Sequence, residues 1–337
     1  MNILFLSRYY YPHIGGVEKH VKELSSSLGL STSEYKITVL TEKYNDTLKD
    51  QEKIDGVEVI RFKYPNVKYL GLIYIWFWMI NHRKLFINSD IIHIHDIFIW
   101  YLPLKLLLPR KRVFTTFHGW EGKYPIPLKN IILKKFASRL SNGSISVGAY
   151  IRKYYGIKTD FITYGAVDIP ESNITTKDTK EILYVGRLEK DTGLADMLIV
   201  FEKLRNDYDI NFCGDGILRR ECEKVGKVHG FVNPEKYYKK AMYVFASGYL
   251  TILEAFANRC LVFAIYDNPL KKDYFLDTPF KDFIVSEEND KKLYGKFEYI
   301  QLNPKEAQNM INKGYNWVKG QSWENLTNLY KNLWEVS

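Results

Sequence analysis

The stretch Asn2–Val21, NILFLSRYYYPHIGGVEKHV, decides how the first half of the chain is read. A short apolar run, Ile3–Leu6, reads as a buried strand; the aromatic loop RYYYPHI follows; Gly15-Gly16 then opens a segment with helical periodicity that carries Glu18. Strand, glycine turn and helix in that order are the first half of a parallel βαβ unit. Working outward, KITVL, VEVIRF, IIHIH, VFTTFH, GSISV and TDFITYG are further β-rich runs, with Glu18–Leu30 and Asn130–Leu140 as the clearest helices. The same grammar restarts with EILYVG, a helix over Ala195–Asn206, INFCG, a helix over Leu218–Val225, YVFAS, a helix from about Ile252, and CLVFAI. Two doubly wound α/β units in tandem are the economical reading. Their boundary is expected near Ala166–Asp178, where Pro170 and the polar run ESNITTKDTK break the periodicity, and the chain closes on an amphipathic helix, Trp323–Trp334.

A length of 337 residues is near twice the usual domain size of about 150, in keeping with two domains. Hydrophobic residues at 46% and charged residues at 26% exclude disordered, collagenous and disulfide-scaffold chains. Cys213, Cys222 and Cys260 are scattered in no CxxC spacing, so neither a disulfide framework nor a structural zinc site is encoded, and a reducing cytoplasm is the expected home. The net charge of +9 is unevenly placed: residues 1–168 hold 24 Lys and Arg against 14 Asp and Glu, while residues 169–337 are balanced. Between Lys105 and Lys158 twelve basic residues face one acid, Glu121, a concentration that attracts phosphate, an anionic membrane or nucleic acid. Nucleic acid is not expected, because no recognised binding module accompanies the charge. Met1–Tyr10 passes from strand to Arg8 without a signal-peptide pattern, so the chain is expected to start inside its fold. The uncharged stretch Tyr69–His82, YLGLIYIWFWMINH, is too short to cross a bilayer and reads as a core helix or, through Trp76, Phe77 and Trp78, as a membrane-interface surface.

In doubly wound units ligands lie beyond the carboxyl ends of the strands, where glycine turns let backbone N–H groups approach phosphate. Gly15-Gly16 is such a position, although a plain tight turn explains the pair as well. Gly186-Arg187 follows the strand ILYV and puts a fixed cation at a strand end. Arg187 is the residue expected to meet a diphosphate, because its planar fork of donors matches phosphate oxygens. Gly214-Asp215-Gly216 is a further turn without the full GxGxxG spacing. His118, just past VFTTF, reads equally as a ligand for a polar substrate, a proton carrier or a structural histidine. His93 and His95 share one face of IIHIHD; strand-end hydrogen bonding is preferred over metal ligation with Asp96, for want of a fourth ligand. Glu254 follows TIL and is read as opening the helix EAFAN, where a carboxylate gains from the helix dipole; it reads as a holder of a ribose hydroxyl or as an ordinary acid of a helix start. Asp207-Tyr208-Asp209 is a DxD that reads as a solvated turn, and GxSxG, HExxH and Walker motifs are absent from the sequence.

Taken in order, these segments resemble the GT-B glycosyltransferases of the large retaining family 4, over essentially the whole chain. NILFLSRYYYPHIGGVEKHV is similar to that family's first strand and GGxE loop, IIHIHD to its HxH strand, and TFHGW to its T-x-H-G segment with His118 in the donor-sugar position. TYGAVDIP resembles the segment that closes the first domain, with Tyr164 in place of the usual Asn. YVGRL, GDG, HGFV, ILEAFA and the closing SWENLTNLYKNLW follow as landmarks of the donor domain and of the helix returning to the first domain.

The resemblance implies two Rossmann-like domains facing across a cleft, residues 1–168 on the acceptor side and residues 169–316 for the nucleotide-sugar, with residues 317–337 returning as a helix. It implies a hexosyltransferase-type enzyme whose donor is a nucleotide-diphosphate sugar and whose acceptor is a glycan or lipid-linked glycan, with no cofactor and no metal; the basic first half adds the expectation of peripheral contact with the cytoplasmic membrane face. Arg187 would neutralise the leaving diphosphate with help from the Gly16 N–H, Glu254 would hold the ribose, and His118 would contact the sugar. Gly15, Gly186, Lys190, Gly214, Gly230, Phe231, Val232, Thr251, Ile252 and Leu253 are the other residues implied around the donor. Two departures stand out: Thr192 occupies the place of a usual Lys, with Lys190 two residues earlier, and Ala246 stands where the first of two paired glutamates belongs. They leave open a non-catalytic nucleotide-sugar-binding protein, and a GT-B epimerase or phosphorylase is the other alternative.

Overall fold

A computed structural model describes residues 1–31, 34–67, 70–170 and 177–336. The polar run of the expected boundary from residue 171 to 176, and Lys68 and Tyr69 beside the aromatic helix, lie outside the described residues. The chain forms two compact units, one of Met1–Glu121, Pro125–Thr163 and Trp323–Ser337, the other of Gly122–Tyr124 and Tyr164–Ser322.

The first unit is built on an eight-stranded sheet: β1 (Asn2–Leu6), β2 (Lys36–Glu42), β3 (Gln51–Ile54), β4 (Val57–Phe62), β5 (Ile91–His95), β6 (Arg112–Phe117), β7 (Gly143–Val147) and β8 (Phe161–Thr163), in the order β3-β4-β2-β1-β5-β6-β7-β8. All pairs are parallel except β3 with β4. That exception was not read from the sequence, although Asp55-Gly56, both at positive φ, is the turn dipeptide a tight hairpin demands. β5 is buried at every residue, as a central strand covered on both faces must be, and this forces its two histidines into the interior. The closing helix, Trp323–Val336, buries Trp323, Leu326, Tyr330, Leu333 and Trp334 at helical spacing and packs beside the helix Gly16–Ser31.

The second unit has β9 (Asp178–Val185), β10 (Asp209–Cys213), β11 (Lys227–Val228), β12 (Ala241–Ala246), β13 (Leu261–Ile265) and β14 (Ile284–Glu287), all parallel, in the order β11-β10-β9-β12-β13-β14. Its core joins Tyr184, Phe201, Phe212, Phe245 and Phe263 between sheet and helices. Both units therefore have a doubly wound sheet whose strand order reverses direction, at β1/β5 in the first and β9/β12 in the second, and ligands of such sheets bind where the order reverses. The expected helices form as Gly16–Ser31, Leu128–Leu140, Leu194–Leu204 and Arg219–Val225, while Asp290–Leu302 and Pro304–Val318 were not read from the sequence. The helix expected from about Ile252 begins three residues earlier, at Tyr249. No helix among the described residues is long and apolar enough to cross a membrane.

Candidate active site

At the reversal point of the first unit, the chain leaves β5 at Asp96, a non-glycine residue at φ 64°. Such a conformation costs energy and is kept where surrounding contacts enforce it. The Asp96 carboxylate accepts the His118 backbone N–H on both oxygens at 3.1 Å and lies 3.4 Å from the Lys134 ammonium, which also donates to Gly119 O at 2.5 Å. This clamp fixes the turn after β6 and aims the His118 ring inward, where its Nε2 is 2.8 Å from His95 Nδ1. Desolvation, followed by the Lys134 charge, lowers the His118 pKa to about 3, so the ring is neutral at physiological pH. Asp96 entered the sequence reading only as a rejected metal ligand; the residue after a strand at its reversal point was the signal that marked it.

Behind His118 runs a second set of polar contacts. The Trp334 indole, a donor only, gives its N–H to His93 Nδ1 at 3.0 Å, so neutral His93 carries its proton on Nε2 and donates to Thr116 Oγ1 at 2.8 Å. The chain continues from Thr116 to the Tyr330 hydroxyl at 2.8 Å and from there to His20 Nε2 at 3.0 Å. His20, His93 and His95 all have pKa values pushed well below the ordinary histidine value by burial, with the neighbouring histidines adding to the shift. His93 and His95 thus make hydrogen bonds, the reading preferred over metal ligation in the sequence. Among the described residues no group of three or more His, Cys, Asp or Glu side chains is placed to hold a metal ion. Gly15 and Gly16 sit at the start of the helix Gly16–Ser31. A Cβ at Gly15 would fall 2.1 Å from Glu18 Oε2, whereas Gly16 faces open space.

In the second unit, Gly186-Arg187 leaves β9 at the reversal point, and the GDG turn after β10 is laced against it: Gly186 N–H donates to Cys213 O and Leu188 N–H to Asp215 O. A Cβ on Gly214 would lie 1.8 Å from Gly186 O. The glycine is therefore required by the approach of two backbones. The Arg187 guanidinium stands exposed beyond this junction, 2.9 Å from Asp191. Lys190 is exposed on the 3₁₀ turn Lys190–Thr192. Thr192 is buried, accepting the Tyr184 hydroxyl and donating to Glu189 O, so it presents no charge.

A cation does reach this turn, from Lys271. Asn268 caps the helix Pro269–Leu276 by accepting the Lys271 N–H, which places Lys271 in the first turn; its buried ammonium lies 3.5 Å from Thr192 O. Desolvation lowers its pKa to about 8; Asp267 and Asp191 oppose that shift and Arg187 adds to it. The sequence reading missed Lys271 because no motif surrounds it and its neighbour in space is 79 residues away.

Glu254 lies in the second turn of the helix Tyr249–Ala257, so the expectation that it opens that helix is corrected: its orientation comes from the Tyr238 hydroxyl, which donates to Oε2 at 2.9 Å, and not from the helix dipole. Thr251 donates to Val185 O. Ile252 and Leu253 are fully buried in the core of the second unit. Gly230, at φ 72°, bridges to Gly214, and Phe231 and Val232 after it are exposed apolar groups. Ala246 ends β12, completely buried.

Among known protein families, the model for Glycosyltransferase Family 4 matches residues 14–163 and that for Glycosyl transferases group 1 matches residues 168–317. A comparison with curated protein sequences finds no match. Among solved structures, the chain is similar to a glycosyltransferase from Rickettsia africae ESF-5, at 16% identity and a TM-score of 0.73 over 99% of this chain and 97% of that one. It is similar to Anabaena Alr3699/HepE in complex with UDP-glucose, at 12% identity and a TM-score of 0.75 over 100% of both chains. The catalytic domain of starch synthase IV from Arabidopsis thaliana, bound to ADP and acarbose, is similar at 13% identity and a TM-score of 0.69, over 99% of this chain and 98% of that one. At these identities the likeness is one of fold.

Proposed function

Because the chain is a glycosyltransferase of the family 4 type, with the GT-B fold of two Rossmann-like units, we propose that it transfers a sugar from a nucleotide-diphosphate donor to a glycan or lipid-linked acceptor, with retention of anomeric configuration. The observation that carries this reading is the cationic end of β9: exposed Arg187, exposed Lys190 and the buried Lys271 ammonium, where a parallel sheet of this kind binds its ligand. A departing diphosphate gains negative charge as the glycosidic bond breaks. Groups already positive and already oriented stabilise that charge without reorganising. Arg187 does this through its donor fork, and its partner Asp191 keeps the guanidinium near the strand end before the donor arrives. Lys271 adds a second charge beneath the turn, in place of the lysine that the family resemblance puts at Thr192. With these cations supplying the charge, a metal ion is not required.

Glu254, held by Tyr238, accepts from the ribose hydroxyls, and Phe231 and Val232 give the base an apolar rest. In the first unit His118 meets the sugar as a neutral imidazole, its orientation set by Asp96 and His95. The excess of basic residues in the first unit suits an acceptor at an anionic membrane face. Nucleotide release from a panel of UDP-, GDP- and ADP-sugars, with and without detergent-solubilised lipid acceptors, tests the reading. Turnover that needs one donor class supports it, and no turnover with any pair refutes it.

A further inference from the structure

The polar chain behind His118 has a direction, because it begins at a group that only donates. The Trp334 indole gives its N–H to His93 Nδ1, so His93 donates from Nε2 to Thr116 Oγ1. Thr116 is completely buried, and among the described residues its hydroxyl meets only His93 and the Tyr330 hydroxyl. Were Tyr330 the donor to Thr116, the Thr116 hydrogen would be enclosed without an acceptor, at the full desolvation cost of that group. Thr116 therefore donates to Tyr330, and the Tyr330 hydroxyl donates to His20 Nε2 at 3.0 Å. Burial, followed by the neighbouring His118, pushes the His20 pKa well below the ordinary value and keeps the ring neutral. With Nε2 accepting, the one ring proton of His20 sits on Nδ1, and no acceptor among the described residues takes it.

His20 lies four residues after Gly16 on one face of the helix Gly16–Ser31, where Gly16 faces open space. Its ring meets the His118 ring edge to face, with centroids 4.7 Å apart. We propose that His20 is a further binding residue for the nucleotide-sugar, its Nδ1–H donating to an oxygen of the transferred sugar beside the His118 ring. The inference rests on the contact between His118 and the sugar proposed above and adds a second neutral group to it. A sugar oxygen suits an uncharged N–H, whereas the charge of the diphosphate is met by Arg187, Lys190 and Lys271 in that reading. The chain from Trp334 holds the proton on Nδ1 before the ligand arrives, so no choice between tautomers is left to be made on binding.

Two substitutions separate this role from a structural one. Asparagine places its amide nitrogen where Nδ1 stands but falls short of Tyr330, whereas glutamine reaches Tyr330 from the Nε2 position and leaves the Nδ1 position empty. With the UDP-, GDP- or ADP-sugar that wild type turns over, His20→Gln is expected to keep the melting temperature and to raise KM about fivefold with kcat nearly unchanged. His20→Asn is expected to lower the melting temperature by about 2–4 °C and to keep KM. Isothermal titration with the nucleoside diphosphate alone should give the same Kd for wild type and both variants. In ligand-free protein carrying isotope-labelled histidine, nitrogen–proton NMR correlations should show His20 protonated on Nδ1. A proton on Nε2, or an unchanged KM in His20→Gln, overturns the inference alone, and a Kd for the nucleoside diphosphate that rises as much as KM in His20→Gln overturns the sugar as its ligand. Wild type that turns over no nucleotide-sugar overturns the proposed function and this contact together.

Discussion

Acidification should destabilise the first unit well before its carboxylates titrate. His20, His93 and His95 are almost completely buried and held neutral, with pKa values well below 6.5, and His118 is lowered to about 3. In the unfolded chain all four return to the ordinary value near 6.5. The folded-state pKa is the depressed one, so the unfolded state binds more protons below pH 6.5; the stabilisation is complete above that pH and lost as pH falls towards the folded values. Between pH 7 and about pH 5.5 each histidine held neutral contributes a loss of about 1 kcal/mol, several kcal/mol for the four together. That is comparable to the whole stability of a marginal domain. Six of the seven tryptophans belong to the first unit, so urea unfolding followed by intrinsic fluorescence reports on it. The midpoint is expected to drop sharply over this pH interval, and His20→Gln, which keeps an acceptor for Tyr330 without a titrating ring, should recover about one quarter of the loss. Equal stability at the two pH values, within about 1 kcal/mol, would refute the neutral-histidine account.

Lys271→Met should leave the melting temperature unchanged or higher, because it removes a buried ammonium whose hydrogen bond to Thr192 is long, while the KM for donor rises by about tenfold. In wild type, donor kcat/KM should fall as pH rises through about 8 and Lys271 loses its proton; Lys271→Met should lack that limb, as a pH–rate series would show. Glu254→Gln should raise the Kd for the nucleotide several-fold, read by isothermal titration, since a neutral amide accepts more weakly from the ribose and leaves Tyr238 a poorer partner. Gly214→Ala should destabilise the second unit by about 3 kcal/mol or more in denaturant titration, because the new methyl would meet the Gly186 carbonyl at 1.8 Å.

The doubly wound fold was legible because strand and helix periods alternate and apolar strands bounded by glycine turns have few other readings. IIHIH shows the strength of that signal: two histidines did not disguise a fully buried strand. The misreadings have local causes. Glu254 was read as a helix opener from its place after TIL, yet Gly248 starts the helix one turn earlier, where the Tyr274 hydroxyl accepts the Tyr249 N–H. Arg187 was legible from its strand-end position, whereas Lys271 and the Asp96 clamp depend on contacts between residues distant in sequence. The link from the Trp334 indole through His93 to Tyr330 and His20 is of the same kind, joining the last helix to strands near the start of the chain.

The most direct test of the donor-transfer account is nucleotide release by wild type and Arg187→Ala, side by side, across UDP-, GDP- and ADP-sugars with lipid-linked acceptors. The account predicts turnover with one donor class and a fall in kcat of about a hundredfold or more in the variant, the cost of removing one preorganised partner of the leaving group. Equal turnover by Arg187→Ala and wild type would contradict it.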